Sequence, residues 1–223
     1  MTYQTHADLG GQISHGAVVP EPEDEWFHAD WEPRALALTL AMGATGTWNI
    51  DQSRAARETL PDYAERSYYQ IWVGAMERLL NERGMLSADE LRAGHATQPG
   101  PPLSRTLHAA DVPAVLARGS ATARTTEVPP RFKVGSTVRM RTGAVSHHTR
   151  LPGYARGKRG VVTAAHGAHV FADTHAYAQG PGQGEQPCWL YTVAFEGSEL
   201  WGAESAPGLS VSIDAWDPYM EPA

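Results

Sequence analysis

Two histidines, three arginines and a lysine fall within residues 147–162, HHTRLPGYARGKRGVV, of a chain whose formal net charge is -7. No acidic residue interrupts positions 128–172, which hold Arg131, Lys133, Arg139, Arg141, Arg150, Arg156, Lys158 and Arg159, 8 of the 18 Lys+Arg. The first 32 residues are the reverse, carrying Asp8, Glu21, Glu23, Asp24, Glu25, Asp30 and Glu32 and no Lys or Arg. Permanent cations bind anions, so this asymmetry points to an anionic ligand, a nucleic acid or an oppositely charged partner. The plainer alternative is a solvated cationic face, and for Arg156, Lys158 and Arg159 that alternative is preferred.

Three further groups have residue types suited to chemistry. His166, His169 and His175 with Asp173 offer imidazole and carboxylate donors of the kind that hold metals, but the spacing fixes no geometry and polar surface explains it better. Arg54 and Glu58 stand four residues apart, on one face if residues 51–60 are helical. Tyr68 and Trp72 share a helical stripe, where aromatic side chains are ordinarily core.

The elements that must position these residues follow from local pattern. Residues 1–30 are rich in Gly, Pro and acid, and read as an extended arm ordered by lying on a partner. A helical domain spans 31–95. ALALTLAMGA is helical, Asp51 can cap DQSRAARETL, and AERSYYQIWVGAMERLLNERG carries Tyr68, Trp72, Ala75, Met76 and Leu79 on one stripe before Gly84 stops it. Ser87 to Glu90 form a capping box. Residues 96–130 read as a Pro/Ala-rich linker with a possible helix at 111–118, Pro113 in its first turn and Gly119 at its end. From 131 to 223 the period becomes alternating. TVRMR, GVVTAA, AHVFA, WLYTVAFE and GLSVSIDAW are strands, the last with Leu209, Val211, Ile213 and Ala215 inward. The fold class is therefore α+β in two parts, an arm and a small helical domain followed by an SH3-like small β-barrel.

With 223 residues and 42% hydrophobic content, the chain can bury a real core. The single Cys188 excludes an intrachain disulfide. No run approaches the roughly 20 apolar residues of a membrane span, and MTYQTHADLGGQ lacks a secretory pattern, so a cytoplasmic location is expected.

Several stretches taken together resemble the β subunit of nitrile hydratase: FHADWEPRALALTLAM (27–42), NIDQSRAARETLPDYAERSYYQIW (49–72), HTRLPGYARGKRGVVTAAHGAHVFADTHA (148–176), LYTVAFEGSELWG (190–202) and DAWDPYMEPA (214–223). The resemblance implies an enzyme that hydrates nitriles to amides at a low-spin Co(III) or Fe(III) centre carried by an α subunit, two of whose cysteine ligands are oxidised to sulfinate and sulfenate. It implies no metal ligand from this chain and two arginines, Arg54 and Arg150, bound to the oxidised sulfurs. An arginine suits that task because its planar paired donors meet two oxygens at once. The same matching makes Tyr68 a catalytic phenol, places Trp72, Ile50, Ser53 and Thr39 at the substrate pocket, and gives Glu58 and His148 a supporting role toward the arginines. Thr39 and Ser53 are small hydroxyl residues where the family often has aromatics, which implies a wider nitrile pocket. VVTAAHGAHVFADTHA is more similar to cobalt-type members, so Co(III) is expected ahead of Fe(III). The implied partner is the α subunit, in an αβ heterodimer or α2β2 heterotetramer, with a small nitrile as substrate and neither nucleic acid nor membrane. The alternative is an RNA-binding protein, since RFKVGSTVRMRTGAV followed by GYARGKRGVV also resembles KOW-type barrels. Against it stand a pI near 5.8 and the lack of aromatics within the basic stretch.

Overall fold

A computed structural model describes residues 5–12, 16–143, 147–180 and 182–223. The chain forms two compact units, Gln4–Gly119 with Gln179–Gly182, and Ser120–Ala178 with Gln183–Ala223.

In the first unit, α1 (Glu32–Ala44), α2 (Ile50–Glu58) and α3 (Tyr68–Glu82) surround a small core of Trp48, Ala56, Ala75 and Leu79, with Met42 and Leu80 against it. The start of α2 differs from expectation. Asn49, not Asp51, is the cap: its Oδ1 accepts from the amides of Asp51 at 3.0 Å and Gln52 at 2.9 Å, while Gln52 Oε1 accepts from Asn49 N at 3.0 Å. An amide at Asn49 satisfies two orphan donors of the first turn, and the exchange frees Asp51 for another use. A 3-10 turn at Tyr63–Glu65 leads to Ser67, which caps α3 in a second reciprocal box with Gln70. The stripe on α3 divides. Ala75, Met76 and Leu79 are buried, but Tyr68 is 64% exposed and Trp72 only partly covered, so the aromatic end is not core. Helix α4 (Ala88–Ala93) begins at the expected Ser87–Glu90 box and stops at Gly94, in the left-handed conformation. Helix α5 (Val112–Arg118) follows a 3-10 turn at Ala109–Asp111.

The second unit is a six-stranded antiparallel sheet. Strands β2 (Thr137–Met140), β3 (Arg159–Val170), β4 (Pro187–Glu196), β5 (Ser210–Trp216) and β6 (Met220–Pro222) are ordered β5-β4-β3-β2-β6, and β1 (Ala123–Arg124) pairs with the far end of β3. GVVTAA and AHVFA belong to one strand, not two. β3 runs through GVVTAA and on to Val170, with register shifts at Val162/Ala164 and, at the glycine-bearing junction, Ala165/Gly167, and leaves Phe171 and Ala172 beyond its end. At Gly160 a Cβ would lie 2.6 Å from Val193 Cγ1 and 2.8 Å from the Ala194 carbonyl oxygen, so the close approach of β3 and β4 there requires glycine. Val138, Met140, Val162, Tyr191, Val193, Phe195, Ala215 and Met220 fill the core. Val211, Ile213 and Ala215 face inward as expected, whereas Leu209 precedes the strand and is exposed. Strand pairing among the described residues ends at β5 and β6, so the ladder is not closed, and the architecture is a mixed α+β fold. No helix among the described residues is long and apolar enough to cross a membrane.

Short helices and the segment after α4 hold through one carboxylate. Glu90 accepts hydrogen bonds from Ser87 N and Oγ, Thr97 N and Gln98 N. These bonds, that of the Thr97 amide foremost, hold its carboxyl down to about 2. A depressed carboxyl contributes stability above its unfolded value near 4.5 and loses it as pH falls toward about 2. Glu90→Gln should therefore lower the melting temperature at pH 7 and flatten its fall between pH 4.5 and 2, measured by thermal unfolding across that range. An acid limb identical to that of the unsubstituted protein would refute the role of Glu90.

Candidate functional site

In the helical unit, Arg54, Arg57, Glu58, Tyr63, Tyr68, Ile71 and Trp72 line a cavity of about 170 Å³. The Asn49 cap sets the phase of α2, so that Asp51 turns inward and is 5% exposed while Arg54, one turn on, remains 42% exposed. Arg54 Nη1 lies 3.4 Å from Asp51 Oδ1. The buried carboxylate thus holds one edge of the guanidinium and leaves other donors outward. Arg57 is fixed differently. Its Nη2 donates to Ser53 Oγ at 3.0 Å, and its guanidinium carbon sits 4.2 Å over the Trp72 ring. Burial lowers its affinity for its proton, without removing the charge. Tyr68 and Trp72 are 5.3 Å apart between ring centroids, and Tyr69 joins them at 5.2 Å and 5.8 Å. The cavity therefore presents two guanidiniums, a carboxylate, two phenols and an indole face.

In the sheet unit, Arg150 is exposed at the end of a segment whose backbone is held from below. His148 N donates to Tyr177 Oη at 3.0 Å, and Arg150 N donates to Tyr219 Oη at 2.9 Å. Tyr219 in turn donates to Asp173 Oδ1, and both are 5% exposed. His147 Nδ1 approaches Asp173 Oδ2 at 3.6 Å. Burial pushes the Asp173 carboxyl above the usual carboxylate range, opposed first by the Tyr219 hydroxyl, and burial likewise pushes the Tyr219 phenol upward. His148 is fully buried.

Of the residues expected at the site, Arg54, Tyr68, Trp72 and Glu58 come together around one cavity. Ile50 is exposed at the start of α2 and does not line it. Ser53 is buried and spends its hydroxyl on Arg57, and Thr39 bonds back to the Ala35 carbonyl at 2.9 Å. Arg57 was missed: its spacing from Trp72 along the chain gives no sign of the stacking, which depends on how α2 packs on α3. The histidines do not converge. His166 pairs with Thr192 Oγ1 at 2.7 Å, His169 with Thr122 Oγ1 at 3.0 Å, and Asp173 with Tyr219. No group of three or more His, Cys, Asp or Glu among the described residues is arranged to hold a metal ion. Cys188 packs against the sheet core with its thiol pushed up by burial. Part of the basic stretch is used internally, while Lys133, Arg141 and Arg159 are exposed. Lys158 Nζ donates to the Glu199 carbonyl at 2.9 Å, Arg156 Nη2 to that of Leu151 at 3.4 Å, and Arg131 pairs with Asp217 at 2.6 Å.

Residues 3–113 match the family model of the nitrile hydratase beta subunit, N-terminal, and residues 121–222 that of the nitrile hydratase beta subunit, C-terminal. The chain belongs to the nitrile hydratase β-subunit family. It is 38% identical to the low-molecular weight cobalt-containing nitrile hydratase subunit beta of Rhodococcus rhodochrous, over 97% of this chain and 98% of that one. It is 36% identical to the nitrile hydratase subunit beta of Pseudomonas putida, over 97% and 98%, and 33% identical to the cobalt-containing subunit of Pseudonocardia thermophila, over 96% and 94%. A solved thiocyanate hydrolase from Thiobacillus thioparus aligns with 62% of this chain and 98% of its own at 21% identity, with a TM-score of 0.38, too low to equate the folds. Both halves of a nitrile hydratase β subunit are thus present in order. The RNA-binding alternative has no support, and the internal use of Arg131, Arg156 and Lys158 supplies the physical reason.

The Arg57–Trp72 stack should contribute about 1 kcal/mol to the stability of the helical unit. Urea unfolding of Arg57→Met, Trp72→Leu and the double variant checks this: coupling of that size is expected, and strictly additive losses would dismiss the stack.

Proposed function

We propose that the chain acts as the β subunit of a nitrile hydratase in which an α subunit carries the metal, Co(III) ahead of Fe(III), and that Arg54 and Arg150 bind the oxidised cysteine ligands of that subunit. The observation that carries this reading is the shared construction of the two arginines. Arg150 is exposed and the Arg54 side chain partly so, and each is anchored to its own unit by a buried carboxylate, the Arg54 guanidinium by Asp51 directly and the Arg150 amide by Asp173 through Tyr219. A sulfinate or sulfenate withdrawn from water needs a permanent charge and directed donors together, and a pre-positioned guanidinium offers both. Tyr68, largely exposed beside Arg54, would hydrogen-bond at the same site, and Trp72 would form an apolar wall for the nitrile. Glu58 and His148 support the segments that bear the arginines.

The cobalt-containing names of two relatives support the choice of metal. Trp26, 79% exposed, with exposed Val18 and Val19, supports residues 1–30 as an arm lying on the α subunit. The domains would be a helical part at 31–95, a linker at 96–130 and an SH3-like barrel at 131–223. The strand order β5-β4-β3-β2-β6 with a 3-10 corner at Asp217–Tyr219 supports that barrel. The complex would be an αβ heterodimer or α2β2 heterotetramer in the cytoplasm.

Co-production with the α subunit should yield a metal-containing complex that converts a nitrile to its amide, whereas this chain alone should do neither. Arg54→Lys and Arg150→Lys should leave assembly intact and lower turnover about 100-fold, as loss of a directed donor at a developing charge does. Turnover, metal content and subunit ratio measured on the purified complexes check this, and unimpaired rates in both variants would overturn the arginine assignment.

A further inference from the structure

We propose that Asp173, acting through the Tyr219 hydroxyl, sets the backbone position from which Arg150 works, making Asp173 and Tyr219 positioning residues for the arginine. This rests on the role given to Arg150 above.

The hydrogen-bond directions are fixed by the inventory of donors. Arg150 N–H can only donate, so Tyr219 Oη accepts from it at 2.9 Å. The single phenolic hydrogen is then available for Asp173 Oδ1, an acceptor when ionised. The three groups come from distant parts of the chain. Asp173 lies on α6 (Ala172–His175), just after β3, and Tyr219 on the 3-10 turn between β5 and β6. Phe171 at 5.5 Å and Trp216 at 6.1 Å between ring centroids clamp the Tyr219 ring. A carboxylate this buried is costly unless bonded, and an apolar residue could fill the same space without that cost. It accepts from the Tyr219 hydroxyl, with the His147 ring beside it. Both neighbours belong to, or support, residues 147–150. Together with Tyr177 under His148 N, the arrangement holds the backbone amides of a non-repetitive segment much as a ladder would hold a strand. The backbone that carries the Arg150 side chain is thereby held in one place, and displacements of an ångström at such a group are costly to catalysis.

The test is a cycle on the assembled αβ complex with a small nitrile. Tyr219→Phe keeps the ring but removes both bonds, and should lower kcat about tenfold with KM changed less than about twofold. In an Arg150→Lys background the same substitution should change kcat by less than about twofold, because the group being positioned is already lost. Asp173→Leu should fall further than Asp173→Asn, whose side-chain oxygen still accepts from Tyr219. Metal content and subunit ratio confirm assembly of each variant. Unchanged kcat in Tyr219→Phe, or losses in Tyr219→Phe and Arg150→Lys that multiply, would overturn the inference while leaving the assignment of Arg150 intact. Wild-type turnover in Arg150→Lys would overturn that assignment and the inference with it.

Discussion

A guanidinium is useful at a protein surface only if something fixes it, and in this chain the fixing is done by carboxylates removed from water. Asp51 is turned into the helical unit by the phase of α2 and meets Arg54 one turn later. Asp173 lies under the sheet unit and reaches Arg150 at one remove, through a phenol and a backbone amide. In both places the expense of burying a carboxylate is offset by bonds that hold an arginine, at the guanidinium for Arg54 and at the backbone amide for Arg150. The caps, the aromatic packing of Tyr219 and the stacking of Arg57 on Trp72 all serve to keep these small networks in register.

The long acid-free stretch takes on a different meaning once the fold is formed. Its cations do not share one task. Lys158 and the Arg159 amide secure α7 (Gly197–Trp201) through Glu199, Arg156 closes on the Leu151 carbonyl, and Arg131 pairs with Asp217. A run that looks like a continuous basic face is thus partly drawn into separate structural contacts, with Lys133, Arg141, Arg150 and Arg159 exposed. Charge counted along the sequence therefore overstates the charge available to an anionic polymer, and affinity for such a polymer scales with cations that can reach it.

The same division holds for the aromatic stripe on α3. Its C-terminal members are core because they pack with Trp48 and Ala56, whereas its N-terminal members line a cavity, with Arg57 stacked on Trp72. Periodicity identified the stripe but gave Tyr68 and Trp72 the wrong surroundings, since a repeat reports which side chains share a face and not what the face meets. Ser53 and Thr39 carry a further interaction that spacing does not show, their hydroxyls being engaged with Arg57 and the Ala35 carbonyl.

From sequence alone came the α+β order of elements, the helix stops at Gly84 and Gly119, the Ser87–Glu90 box, the inward face of β5 and the family to which the chain belongs. All of these rest on interactions within a few residues or on motifs read in order. Tertiary structure alone decided that Asn49 rather than Asp51 caps α2, that β3 runs unbroken through its glycines, and that two- and three-residue strands complete the sheet. It also decided that Asp173 serves Tyr219 rather than a histidine cluster, joining residues 46 apart that in turn hold an amide 69 positions away. Local propensity carries no information across such distances. The partners of a buried polar group are chosen by which segments the packed core brings within hydrogen-bonding reach.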